Sequence, residues 1–319
     1  MVILPRNKNA PAGSKTVSSA FAVLTEKYKD INRQIKAKIL AIPTTPAPAT
    51  NQFVFINGGE PILYSVNADV SYDIGSSSYK RLLAEVEAII DSILMSGGKR
   101  NLFFYEFLET ESKRGTKDAF NNLAAQSALY EEKASLIKVL TSKPFITRLS
   151  IAESASWTSW KGLAEKAKGE IANILKDSIT RGVSTRDATR LVKERLDVSR
   201  SDARRIAQTS LLGAYREANR KENERADEQY GIRTEMLWTS ALIPTTRPWH
   251  ASRHGRIYTR EEVEEFYAER GNRYNCYCAQ TAVLIQEGKP VISQVALKKM
   301  DKEKKAWDKT QVKKKTKAA

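Results

Sequence analysis

The chain has 319 residues and a formal charge of +16, with only two histidines and two cysteines. That length supplies apolar material for one large or two ordinary domains, but two cysteines one residue apart cannot build a disulfide framework. No run approaches the ~18 apolar residues of a membrane span, and the opening Met1-Val2-Ile3-Leu4 is too short for a secretory signal, so a cytoplasmic folding site is expected.

Residues 1–15, broken by Pro5, Pro11 and Gly13, read as a flexible arm. Residues 16–150 read as an N-terminal helix-rich region. It opens with Val17, Phe21, Leu24, Tyr28, Ile31, Ile35 and Ile39 at steps of three and four, one apolar stripe on a long helix. Pro43, Pro46 and Pro48 stop that helix and predict an extended linker over 43–48. From Phe53 to Val70 the pattern alternates as in strand, with Gly58-Gly59 as a turn. Tyr79 to Met95 predicts a helix with Leu82, Leu83, Val86, Ile89, Ile90 and Ile93 inward, closed by Gly97-Gly98.

A domain break is expected near Ser150, followed by a domain over 151–290. Leu163, Ala167, Ile171, Ile174 and Leu175 mark another amphipathic helix, ended by Gly182. Ser184 with Asp187, and Ser199 with Asp202, read as two helix starts of the capping-box kind. The second of these helices buries Ala203, Ile206, Ala207, Leu211, Ala214, Tyr215 and Ala218 and exposes Arg204, Arg205, Arg216, Arg220, Lys221 and Arg225. A strand ending at Trp238 and a short acidic helix from about Arg260 to Ala268 follow. Residues 291–319 read as a solvated basic tail ending in Lys313, Lys314, Lys315 and Lys317. The fold class expected is α+β, mainly α-helical, with long amphipathic helices before a small β-containing C-terminal motif that zinc can stabilise.

Both histidines and both cysteines fall between His250 and Cys278. His250 and His254 are four apart, so one helical turn or a tight loop can aim both rings at one point. On extended chain Cys276 and Cys278 share a face. Two thiolates and two imidazoles make a closed tetrahedral set suited to structural zinc, with no open position for a catalytic water. The bland alternative is that the histidines hydrogen-bond in a packed turn and the cysteines are small buried hydrophobes. Catalytic patterns are missing: nothing specifies an orienter or oxyanion hole for a Cys–His pair, and neither the zinc-deaminase pattern nor a phosphate-binding glycine loop occurs.

Taken in order, Gly182-Val-Ser184-Thr-Arg-Asp187-Ala188, the stretch Ala203 to Asn219, Gly231-Ile232, Trp238, Thr246-Arg247-Pro248-x-His250 with Gly255, and Asn275-Cys276-x-Cys278 resemble the minor head proteins of tailed phages, the Mu F-like and SPP1 gp7-like head morphogenesis family. The resemblance covers about Gly182 to Val283. Trp238, Arg247, Pro248, Gly255 and Asn275 are its motif residues. Ile243 and Thr245 stand where the family usually has an acidic and a basic residue, and Tyr277 replaces an arginine, which favours a structural use of the motif. The resemblance implies a non-enzymatic protein of the phage head, bound to the portal inside the capsid and acting in procapsid assembly and in DNA packaging or ejection. Its partners would be portal, capsid or scaffold proteins and genomic DNA.

The +16 charge suits packing against DNA, and Lys313, Lys314, Lys315 and Lys317 would bind phosphates without reading sequence, although such a tail also serves plain solubility. A zinc-organised, non-sequence-specific DNA-binding protein is the alternative, and a metal-dependent nuclease a more distant one. Attachment to a membrane surface is disfavoured because the first helix mixes acids with its lysines.

Overall fold

The computed structural model describes residues 1–47, 51–57, 60–66, 68–269 and 271–318, with backbone alone for 51–57, 60–66 and 312–318. The apolar stripe that begins at Val17 lies on one helix, α1 (Lys15–Leu40), and all of its members except Phe21 are buried. The chain then forms two hairpin-like pairings, β1 (Thr44–Pro46) with β4 (Val70–Tyr72) and β2 (Asn51–Asn57) with β3 (Glu60–Val66). The 43–48 linker is therefore partly a strand: Pro46 pairs with Val70 at its edge. The expected Gly58-Gly59 turn and Pro48 lie outside the described residues.

Helices α2 (Ser76–Leu94), α3 (Tyr105–Ala124), α4 (Ala128–Lys133), α5 (Leu136–Leu140), α6 (Lys143–Arg181) and α7 (Thr185–Tyr230) follow. The C-terminal part holds β5 (Thr234–Thr239), α8 (Pro248–Ala251), β6 (Ile257–Tyr258), α9 (Arg260–Ala268), β7 (Ala279–Gln286), β8 (Lys289–Pro290) and α10 (Gln294–Ala318). This is a mainly helical fold with a small C-terminal sheet, as expected.

Residue contacts group the chain into two interleaved units, one of 1–20, 104–156 and 207–319, the other of 21–103 and 157–206. The linear segments 1–15, 16–150, 151–290 and 291–319 do not coincide with them, because α1, α6 and α7 each contribute residues to both units.

In the second unit α1 meets α7 through the Tyr28 hydroxyl, 2.8 Å from Ser199 Oγ. This contact uses the side chain that was expected to start a helix. No breaker interrupts the backbone there, so α7 runs on unbroken and the second start does not exist. The first start does: Ser184 Oγ accepts from the Asp187 backbone N–H at 3.1 Å and donates to the Asp187 carboxylate at 2.8 Å. Gly182 between α6 and α7 has φ +63°, and its carbonyl accepts from the N–H groups of Asp69 and Val70. A Cβ there would meet the Val70 carbonyl oxygen at 2.4 Å, so only glycine fits.

In the first unit the sheet has the order β6-β5-β7-β8, all antiparallel, with Trp238 opposite Gln280 and Thr239 opposite Ala279. One face carries Met236, Trp238 and Ala282, covered by Val263 and Phe266 of α9 and by Tyr258, Cys276 and Cys278. The other carries Leu237 and Val283, covered by Met300 and Leu297 of α10 together with Val2 and Leu4.

Two expectations change here. The N-terminal arm is packed: Val2 and Leu4 lie on the sheet, the Ile3 N–H donates to Asn122 Oδ1 at 2.8 Å, and Ala12 is buried. The basic tail is a docked helix, with Met300 and Trp307 buried and Trp307 Nε1 donating to the Ile243 carbonyl at 2.9 Å. Apolar residues at 297, 300 and 307, one helical face, give the lysine-rich segment a side to bury. The side chains of Lys313, Lys314, Lys315 and Lys317 lie outside the described residues.

If α10 is held by that face, Met300→Ala should cost about 2–4 kcal/mol in urea unfolding. It should also speed tryptic cleavage after Lys298, Lys299 and Lys302; a tail cut as fast in the wild type as in the variant would mean the helix is not docked.

Candidate metal centre

The pairing of Thr239 with Ala279 sets the site, because it puts the loop after β5 beside the residues that lead into β7. Cys276 and Cys278 precede β7 directly, and both are buried and free. Asn275 turns the chain into them with φ +51°, a left-handed conformation asparagine tolerates better than most residues. Opposite, Pro248 opens α8 at its first turn, where its missing N–H costs nothing, and the turn presents His250 to the cysteines.

His250 Nδ1 lies 3.4 Å from Cys276 Sγ and 3.8 Å from Cys278 Sγ. The donor atoms of these three residues all fall within 4.8 Å of one another. Zinc bonds of about 2.3 Å to sulfur and 2.0–2.1 Å to nitrogen, at tetrahedral angles, put N and S about 3.6 Å apart. The observed separations straddle that value, and a buried set of two thiols and one imidazole matches what zinc selects. His250, Cys276 and Cys278 therefore fit a metal ion.

His254 is not brought to this point, against the expected four-ligand set. Its Nδ1 accepts from the Ser240 N–H at 3.0 Å, and its Nε2 lies 3.4 Å from Glu303 Oε2 on α10. Nδ1 is thus committed to the loop, while Nε2 faces Glu303 without forming a hydrogen bond. The set is three residues rather than four, and it is not closed: it forms the floor of a cavity of about 410 Å³ whose lining includes Thr245, Arg247 and Asn275.

The remaining motif residues support the three. Trp238 is fully buried under Phe266 and stacked on Tyr267, and its backbone exchanges hydrogen bonds with Gly255 and Arg256. Gly255 has φ +76°, and a Cβ there would come within 3.1 Å of Met300 Cβ. Arg247 donates to the carbonyls of Asn272 and Tyr274 at 3.3 and 2.9 Å, and its Nη1 lies 3.3 Å from His250 Nε2. With Nδ1–H toward Cys276, the His250 ring accepts from Arg247 at Nε2; a metal on Nδ1 would move the proton to Nε2, against the Arg247 donor, so Arg247 would have to turn away and rely on its two carbonyl bonds.

Sequence reasoning put Arg216 on the exposed side of its helix. It is buried, donates to the Cys276 carbonyl at 3.0 Å and the Cys278 carbonyl at 3.4 Å, and lies over the Tyr267 ring. The signal available was its position next to buried Tyr215, but a charged residue becomes interior only when distant acceptors exist for it. A hydrogen bond from Cys278 together with His250 and Arg216 holds the Cys276 thiol well below its ordinary range, while sharing that hydrogen bond and burial push Cys278 up.

Residues 169–281, less than half of the chain, match the family model described as Phage Mu protein F like protein. The resemblance drawn from Gly182 to Val283 is borne out over that stretch. No curated protein and no solved structure matches the chain.

Burial lowers the His254 pKa, outweighing the attraction of Glu303. The unfolded chain then binds the proton more readily, so stability is fully present above the ordinary histidine value of about 6.5 and falls as pH drops through the folded value. The urea midpoint should fall between about pH 7 and pH 5. His254→Gln, which keeps an acceptor for Ser240 and does not titrate, should flatten that decline; an unchanged decline would assign it to other groups.

Proposed function

We propose that this chain, whose residues 169–281 follow the Mu F-like pattern, is a structural and assembly protein of a tailed phage head. It would bind at the portal inside the capsid and act in procapsid assembly and in DNA packaging or ejection. Portal, capsid or scaffold proteins and the phage genome are the partners this reading implies; virion interior and host cytoplasm are its locations.

The observation that carries it is the family match, which covers the last third of α6, all of α7 and the chain as far as the start of β7. The +16 charge supports a neighbour rich in phosphate. Among the described residues no helix is long and apolar enough to cross a membrane. Zinc held by His250, Cys276 and Cys278 would tie the β7 entry to the loop after β5, a stabilising use that needs no turnover. In this reading the chain co-sediments with proheads assembled from portal, scaffold and capsid proteins. Its absence from both proheads and virions would overturn the assignment.

A second reading, a zinc-organised DNA-binding protein without sequence preference, is favoured by α10. Lys298, Lys302 and Lys309 are exposed at steps of four and seven, on one side of a helix whose other side is docked. Duplex affinity should fall steeply with salt, and replacing these three lysines by alanine should make the log–log salt slope shallower by about 2–3. An unchanged slope would clear α10 of phosphate contact.

A further inference from the structure

We propose that the metal position of His250, Cys276 and Cys278 takes its fourth donor from solvent, as a small anion entering the cavity above it. This rests on the zinc reading given above. The case begins with the donors the chain itself offers. His254 is the remaining histidine, and its nitrogens are turned to Ser240 and Glu303. The Tyr267 hydroxyl accepts from Gln280 Nε2 at 3.0 Å and stands 3.8 Å from Cys276 Sγ. Among the described residues no carboxylate lines the cavity. Thr246 Oγ1 is occupied by the Ile243 N–H at 3.0 Å.

The site also has space and access. The three ligands are buried, while Thr245 and Asn275 on the cavity wall are exposed. About 410 Å³ is far more room than one water needs, since its share of liquid volume is about 30 Å³. The chemistry of the walls selects the sign of the guest. Two thiolates neutralise a divalent cation, leaving Arg247 on the cavity wall and Arg216 behind the cysteine carbonyls as uncompensated positive charge at the site. Aspartate and glutamate are missing from the lining, so an anion meets no repulsion. Three protein ligands with an open position is the arrangement that lets a metal bind exchangeable ligands.

The test uses the full-length chain loaded with Co²⁺, whose thiolate charge-transfer and d–d bands report coordination directly. Titrating azide, and separately acetate, should shift the d–d bands in a saturable way while the thiolate bands persist, with neutral imidazole binding more weakly than either anion. If Co²⁺ gives no thiolate bands, and the Cys276→Ser chain behaves like the wild type, the metal reading fails and the proposal with it. If the thiolate bands form but azide, acetate and imidazole all leave the spectrum unchanged, the metal stands and the open position is wrong. Imidazole binding more tightly than both anions would keep the open position and overturn its selectivity for anions.

Discussion

Both faces of the β5–β7 pair are buried, and this constraint organises the unit that holds the site. Side chains alternate along a strand, so Met236 and Trp238 point one way and Leu237 the other, with Ala282 and Val283 doing the same on β7. A sheet covered on two sides needs two separate covers. Here α9 with the cysteine loop supplies one, and the N-terminal residues with α10 supply the other. The same register that buries Trp238 sets Thr239 opposite Ala279 and so brings the His250 loop to the cysteines. A slip of one residue would turn Trp238 toward the face covered by α10 and separate the His250 loop from the cysteines.

Polar contacts then fix the cysteine segment from several sides. Arg216 holds the carbonyls of Cys276 and Cys278. The residue between them, Tyr277, accepts from the Ala12 N–H at 2.9 Å, and the Ala12 carbonyl accepts from Arg114 at 2.7 Å. Arg114 in turn pairs with fully buried Glu111, which also accepts from the Ser14 hydroxyl at 2.6 Å. Each buried charge has a partner, as interior ions require. The chain's first fifteen residues thereby take part in positioning a loop near its other end, and protein contacts hold the three donors in place.

That preformed arrangement bears on function. A zinc ion closing a sealed four-ligand clasp serves stability alone, whereas three ligands beneath an accessible cavity leave a position that exchanges.

Much of this was legible in the sequence where the physics is local. Hydrophobic steps of three and four specify α1 and α2, the Ser184–Asp187 pair caps α7, and the acidic stretch from Arg260 to Ala268 forms α9, because each depends on residues within a turn of one another. The gathering of His250, Cys276 and Cys278 was also visible as composition. Only the tertiary structure decided that Ser199 sits inside a helix, that Arg216 is interior, that His254 leaves the ligand set for Glu303, and that the lysine-rich end docks. The free energy of each of those outcomes comes from partners distant in sequence: a tyrosine hydroxyl, two carbonyls, a carboxylate on another helix and an apolar sheet face. Residue spacing carries no information about which of these arrive. The sequence by itself therefore determined the elements and the chemical inventory of the site, and the packing of the sheet determined which members of that inventory meet.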